Sequence, residues 1–150
     1  MSWVFLVLLT GALVTATPTL APTGDIRKRT PNVPLGLLFP LSQGQGSQMA
    51  AAAILAVETL NADRTLLQGS TLTFMLNDTR ASTIVGPTLA EDFIDRDAVA
   101  IIGAQESSVS RAVASMAQTR NVMQLSYQSG DPILSDKRLF PLFGRVSREF

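Results

Sequence analysis

From Val33 onward the chain alternates short, nearly continuous apolar runs with longer stretches whose apolar residues recur every three or four positions. The first kind reads as strand covered on both faces, the second as helix lying on a sheet. Val33 to Leu41 (VPLGLLFPL) predicts the first strand. The small, polar Ser42 to Ser47 (SQGQGS) follows, and Ser47 stands where it would cap a helix running to Asn61. In that helix Ala50, Ala53, Ile54, Val57 and Leu60 share one face of mostly small residues, suited to a close approach to a sheet. Thr71 to Leu76 (TLTFML) predicts a second strand, ended by the polar turn Asn77-Asp78-Thr79-Arg80. Helix signals run from Ser82 to Asp95, interrupted by Gly86-Pro87, so that either the helix kinks or its regular part begins at Pro87. Ala98 to Gly103 (AVAIIG) is a third buried strand. Ser107 or Ser108 then caps a helix with Val109, Ala112, Val113, Met116 and Ala117 on one side. Val122 to Ser126 and Phe140 to Val146 are the fourth and fifth strands.

Strand, helix, strand, helix, strand is the order of an α/β fold, a doubly wound parallel sheet joined by crossovers. Ligands of such sheets sit at the carboxyl ends of the strands, where the connections change direction. Three loops qualify: Ser42 to Ser47, Ala104 to Ser108 and Tyr127 to Asp131. None carries GxGxxG or GxxxxGK[ST]; Gly44-Gln45-Gly46 is only a fragment of a phosphate-binding pattern.

Composition removes whole classes of chemistry. With no Cys and no His there is no thiol nucleophile, no imidazole base and no structural zinc site. The 12 basic side chains cancel the 12 acidic ones and include only two lysines, so no clustered basic face for nucleic acid is present. The carboxylates Glu91, Asp92, Asp95 and Asp97 crowd one helix end away from the ligand-side loops and read as a solvated acidic face. An enzyme is therefore the last-ranked class, and neither a cofactor nor a metal is expected.

Ahead of the domain, Trp3 to Ala16 is an apolar stretch of 14 residues. A bilayer span takes about 20, so residues 1–21 read as a secretory signal peptide. Val14-Thr15-Ala16 and Thr19-Leu20-Ala21 both offer small residues for cleavage, although no Lys or Arg precedes the apolar core. Residues 22–32 read as a linker around the basic triplet Arg27-Lys28-Arg29, and 33–150 as the folded part. Asn77-Asp78-Thr79 is the single N-x-T acceptor, which in a secreted chain marks Asn77 for glycosylation.

The run Ile101-Ile102-Gly103, Ser107-Ser108-Val109-Ser110, Leu125-Ser126-Tyr127, Leu134-Ser135-Asp136 and Phe140-Pro141 resembles the extracellular ligand-binding region of class C G-protein-coupled receptors. The likeness is greatest to metabotropic GABA and glutamate receptors and covers Val33 to Phe150. It implies a bilobed clamshell of the type I periplasmic-binding-protein kind, of which this chain supplies an incomplete, Rossmann-like first lobe. It further implies an amino-acid-like small-molecule ligand, pairing of copies through that lobe, an extracellular location, and a membrane reached only through parts absent from this chain.

Residue by residue, the resemblance places Ser107 where a hydroxyl and neighbouring amides hold a ligand's α-carboxylate, with Ser108 beside it. A helix N-terminus suits an anion on its own terms, although both serines would serve equally as helix caps. Tyr127 falls in the loop where an aromatic wall meets the ligand, and Ser129, Gly130 and Asp131 complete the candidate binding set. Gly130 stands where the resembling receptors place a Ser or Thr against the amine. Met49 stands where glutamate-binding members use an arginine, which argues against glutamate. The positions of the family disulfide are Ala81 and Glu106 here, so both halves are missing together. Glu106 and Asp131 flank the same region and, as a pair, would accept a ligand amine; they fall short of the ligand count that Ca²⁺ takes. Against the binding module stands a structural reading, in which the lobe has lost its pocket and serves as a pairing surface.

Overall fold

A computed structural model of the chain describes residues 32–63 and 65–148. The expected signal peptide, and all but the last residue of the expected linker, lie outside them. Five strands, β1 (Asn32–Phe39), β2 (Thr71–Asp78), β3 (Ala100–Ile102), β4 (Met123–Ser126) and β5 (Phe143–Arg145), pair in the order β2-β1-β3-β4-β5. Every pairing is parallel. Three α-helices, α1 (Gly44–Ala62), α2 (Val85–Asp95) and α3 (Ser107–Ala117), connect them.

Alternation along β1 decides which helix goes where. Leu37 and Phe39 point to the α1 side, packing with Ala50, Met49 and Ala53. Leu38 points the other way, into a cluster with Phe93 of α2, Ile101, and Val109 and Val113 of α3. Both faces of β1 are thus covered, which is why its sequence reads as an unbroken apolar run. Helices on both faces make the sheet doubly wound, and its direction of winding switches between β1 and β3. A smaller cluster of Ala114, Leu134, Phe140 and Phe143 anchors the long connection from β4 to β5.

Helix starts differ from the sequence expectation. The N-cap of α1 is Gln43 and Ser47 lies inside the helix, its hydroxyl donating to the Leu41 carbonyl at 2.9 Å. The glycine-rich loop here answers to a close approach: a Cβ on Gly46 would sit 2.1 Å from the Pro40 carbonyl oxygen. Helix α2 begins at Val85, which places Pro87 in the first turn, the tolerated position. The N-cap position of α3 is Glu106, so Ser107 is its first helical residue. The fifth strand is three residues long because Phe140 to Leu142 are taken up in a turn, with Phe143 N–H donating to Phe140 C=O.

At the end of β3 the backbone of Gly103 has φ +117°, and a Cβ there would lie 2.1 Å from the Leu38 carbonyl oxygen. Gly103→Ala combines a disfavoured dihedral with a backbone clash and should cost at least about 3 kcal/mol in urea unfolding. Gly44→Ala, with nothing within 4 Å of the new Cβ, should change stability by less than about 1 kcal/mol. Equal effects from the two substitutions would contradict this packing.

Candidate functional site

The parallel register brings the loops after β1, β3 and β4 to one end of the sheet, beside the N-terminus of α3. What each loop presents there is decided by a buried serine knot. Ser126 O–H donates to the Ala104 carbonyl at 2.8 Å and Ser110 O–H to the same oxygen at 3.2 Å. Ser129 O–H donates to Ser110 Oγ at 2.7 Å, and Ser126 Oγ accepts the Ser129 amide at 3.0 Å. These three serines are fully buried. Hydroxyls so placed satisfy backbone groups that burial would otherwise strand.

Ser107 extends the same lock. Its hydroxyl oxygen accepts the amides of Gly130 (3.1 Å) and Asp131 (3.2 Å), tying the tip of α3 to the loop after β4. Asp131 is engaged by the chain itself: its carboxylate pairs with Arg111 at 2.9 Å and accepts the Ile133 amide at 3.0 Å, capping the 3-10 turn Pro132–Ser135. Arg145 reinforces the loop by donating to the carbonyls of Ser129 (3.2 Å) and Asp131 (2.9 Å). Of the six candidate binding residues, Ser129 and Gly130 are therefore interior, Asp131 is held by an arginine, and Ser107 serves the loop with its lone pairs. Ser108 is exposed, and Tyr127 is part-buried.

Among the described residues the first-turn amides of α3 have no recorded partner. The first bond of the helix runs from Ser110 N–H to the Glu106 carbonyl, so the amides of Ser107, Ser108 and Val109 have no partner within it. Glu106 occupies the N-cap position without a side-chain capping bond. Tyr127 stacks on Phe39 with centroids 4.8 Å apart and planes at 17°, bridging the ends of β4 and β1 across β3. Together with Met49, Ala52, Ala53 and Ile102 the two rings line an apolar hollow of about 270 Å³ between α1 and the sheet end. Met49 thus contributes hydrocarbon to this wall.

Two further residues emerge that patterning did not single out. Gln124 crosses from β4 to donate to the Gly103 carbonyl at 2.7 Å, and Arg145 locks the loop as described. A buried glutamine in a strand is the only trace the first leaves in the sequence, and the second leaves none. The acidic residues Glu91, Asp92, Asp95 and Asp97 are exposed; Asp92 pairs with Arg96 and Asp95 with Arg120. Among the described residues no group of three or more His, Cys, Asp or Glu is placed to hold a metal ion, and no helix is long and apolar enough to cross a membrane.

Burial first, and the negative charge of Glu106 second, push the Tyr127 hydroxyl well above its ordinary value of 10.0. Because the folded value is the higher one, the stability tied to the neutral phenol is fully present below the unfolded value of about 10 and is lost as pH rises through the folded one. Tyr127 is the sole tyrosine, so ultraviolet phenolate absorbance reads it without interference. The native chain should titrate far later than the urea-unfolded chain, and unfolding should become easier above about pH 10. Coincident titrations in the two states would refute this placement.

Comparison with known proteins bears on the whole arrangement. A family model for the receptor family ligand-binding region matches residues 48–149. Glutamate receptor 3.2 of Arabidopsis thaliana is 33% identical over 143 residues, covering 95% of this chain and 15% of that protein. Glutamate receptor 3.4 of the same plant is 30% identical over 123 residues, covering 82% of the chain and 13% of the receptor. Gamma-aminobutyric acid type B receptor subunit 1 of Mus musculus is 34% identical over 126 residues, covering 79% and 13%. The chain thus spans about an eighth to a seventh of the length of these relatives, each of which is named as a receptor or receptor subunit. With its doubly wound sheet and matched residues, this chain belongs to the receptor family ligand-binding region.

Proposed function

We propose that the chain is a non-enzymatic ligand-binding module that senses an amino-acid-like small molecule as part of a clamshell closing over its cleft. The observation that carries this reading is the N-terminus of α3, which has no side-chain cap and lies with the exposed Ser108 at the sheet end where the loops converge. Partial positive charge and unpaired donors at a helix start suit a carboxylate. The contact set of the proposal is Ser107, Ser108 and Tyr127, with Ser129, Gly130 and Asp131 holding the loop that frames them. Ligand would act by favouring the closed arrangement of two lobes. Where relatives carry glutamate in their names, the apolar wall formed by Met49 and Phe39 supports a ligand without a second carboxylate. A pairing lobe without a pocket is the second reading, favoured by Leu55 and Leu60 on α1, which are 63% and 38% exposed.

Ser108→Asp separates the two readings. A carboxylate at the start of α3 should stabilise the fold by about 0.3 to 1 kcal/mol while occupying the place of the ligand's own carboxylate. In thermal-shift and calorimetric titration against L-amino acids and 4-aminobutanoate, wild type should show saturable binding and Ser108→Asp none. Silence of wild type across that panel, with a concentration-dependent dimer in sedimentation, would favour the pairing lobe instead.

We also propose that the module is secreted, with residues 1–21 removed as a signal peptide, 22–31 as a linker now that Asn32 opens β1, and a glycan on Asn77. Asn77 is exposed near the end of the edge strand β2. Expression in secreting eukaryotic cells should yield a product in the medium that begins at Pro22 and carries a glycosidase-sensitive mass, absent from Asn77→Gln. An intact N-terminus with retention in the cytosol would overturn this assignment.

A further inference from the structure

Of the two edge strands β2 is the longer, eight residues against the three of β5, and it pairs with β1 along its whole length. An unpaired edge is a template for a further strand unless something blocks it. Here side-chain amides block its two ends. Asn61 Nδ2 donates to the Leu72 carbonyl at 2.9 Å and Asn61 Oδ1 accepts the Leu72 amide at 2.8 Å, so both backbone groups of Leu72 point away from β1. At the other end Asn77 Oδ1 accepts the Asp78 amide at 2.9 Å. The next residue turns back: Thr79 N–H donates to Phe39 C=O of β1.

Backbone groups alternate in direction along a parallel strand, so Phe74 and Leu76 turn theirs outward as Leu72 does. No bond to those groups is made among the described residues. They form a short open window between two plugs. Thr71 to Asn77 contain no charged residue, proline or glycine, the devices that usually blunt an edge. Phe74 is 37% exposed, and Leu76, on the same face of the strand, packs with Leu37 and Phe39.

We infer that this window is an interaction surface for a second copy of the chain, the two β2 strands running antiparallel about a two-fold axis at Met75. Phe74 of each copy then exchanges both backbone bonds with Leu76 of the other. The blocked Leu72 falls opposite the blocked Asp78, and a shift in either direction sets a blocked residue against an open one. The pattern is thus its own complement, as an isologous interface requires. Charge permits the approach, because Thr71 to Asn77 carry none and like charges are not opposed. Phe74 also meets Leu76 of the second copy side chain to side chain. A junction this short stays below the roughly 1,200 Å² of a standard interface, so the pair is weak, with a Kd of about 10 μM to 1 mM. Asn77 falls opposite Thr73 of the second copy, and a glycan on its Nδ2 closes the window while its Oδ1 keeps the Asp78 amide. The surface lies apart from the ligand-side loops, and the inference stands or falls without the ligand reading.

The test uses the chain from Pro22 onward, its proposed secreted form, made in bacteria, which add no such glycan. Sedimentation velocity should show a dimer fraction that rises with concentration, whereas the glycosylated chain from secreting cells stays monomeric. T73K puts an ammonium group on the edge and should weaken pairing at least about ten-fold. Single cysteines read the register, since the chain has none of its own. Thr73 and Asn77 of opposite copies form a non-hydrogen-bonded pair with Cα atoms about 4.5 Å apart, within disulfide range. Under oxidised glutathione a mixture of T73C and N77C should give the mixed disulfide dimer, and neither variant should crosslink with itself. Both positions are exposed, so the changes spare the core; if a cysteine variant fails to fold, the T73K comparison decides. An unglycosylated chain that stays monomeric up to about 1 mM overturns the inference. Pairing that ignores T73K, or self-crosslinks as abundant as the mixed one, overturns it as well and moves the contact to another surface, the exposed leucines of α1 first.

Discussion

The Ala104 carbonyl is the point on which the ligand-side end of this domain hangs. It lies just past β3, and it receives hydroxyl protons from β4 (Ser126, 2.8 Å) and from α3 (Ser110, 3.2 Å), while Ser129 closes the ring through Ser110. Three elements are thereby fixed to one atom in a place that admits no solvent. Removing any one hydroxyl would leave a buried acceptor or donor short of a partner, a cost of about 1 to 3 kcal/mol. The loop after β4 can be long and still present Tyr127 in one position because this ring, with Ser107 and Arg145, holds its backbone from three sides.

How much of this was legible follows from what each residue reports. Strand runs such as VPLGLLFPL declare themselves because burial on both faces demands unbroken hydrophobicity, and the order of elements then gives the parallel sheet. Helix starts were less legible. Ser47 and Ser107 look like caps, yet Ser47 bonds back to Leu41 and Ser107 receives amides from residues 23 and 24 positions away. A hydroxyl's local preference is weak, so a distant backbone group with no other partner wins it. The same reasoning explains the candidate site. The loop order puts Ser107, Ser108 and Tyr127 at one end of the sheet, whereas the bonds made by Ser129 and Asp131 depend on Ser110 and Arg111, neither of which sequence spacing ties to them.

Charge is used sparingly at this end of the sheet. Arg111 and Arg145, the arginines in contact with the loop after β4, are bound to Asp131 and to the carbonyls of Ser129 and Asp131. Their work is structural. An anionic group arriving at the tip of α3 would meet amide dipoles there, which discriminate by geometry and distance more than a mobile side-chain cation does.

The α1 side of the sheet adds a second constraint, and it is apolar. Phe39 and Tyr127 stack at the top of a face that continues downward through Leu37, Leu35 and Ile102, with α1 as the one helix on it among the described residues. Tyr127 therefore has two parts with different surroundings: its ring closes an apolar wall, and its hydroxyl is buried, with the charge of Glu106 adding to the rise in its pKa. Aromatic residues with a polar tip are suited to such borders. Its stacking on Phe39 ties the position of that hydroxyl to β1, which lies between β2 and β3 in the sheet, through rings whose centroids are 4.8 Å apart. A shift of α1 against the sheet would move Met49 and Ala53 across the same wall, so the packing of α1 and the placement of the Tyr127 phenol are one mechanical problem.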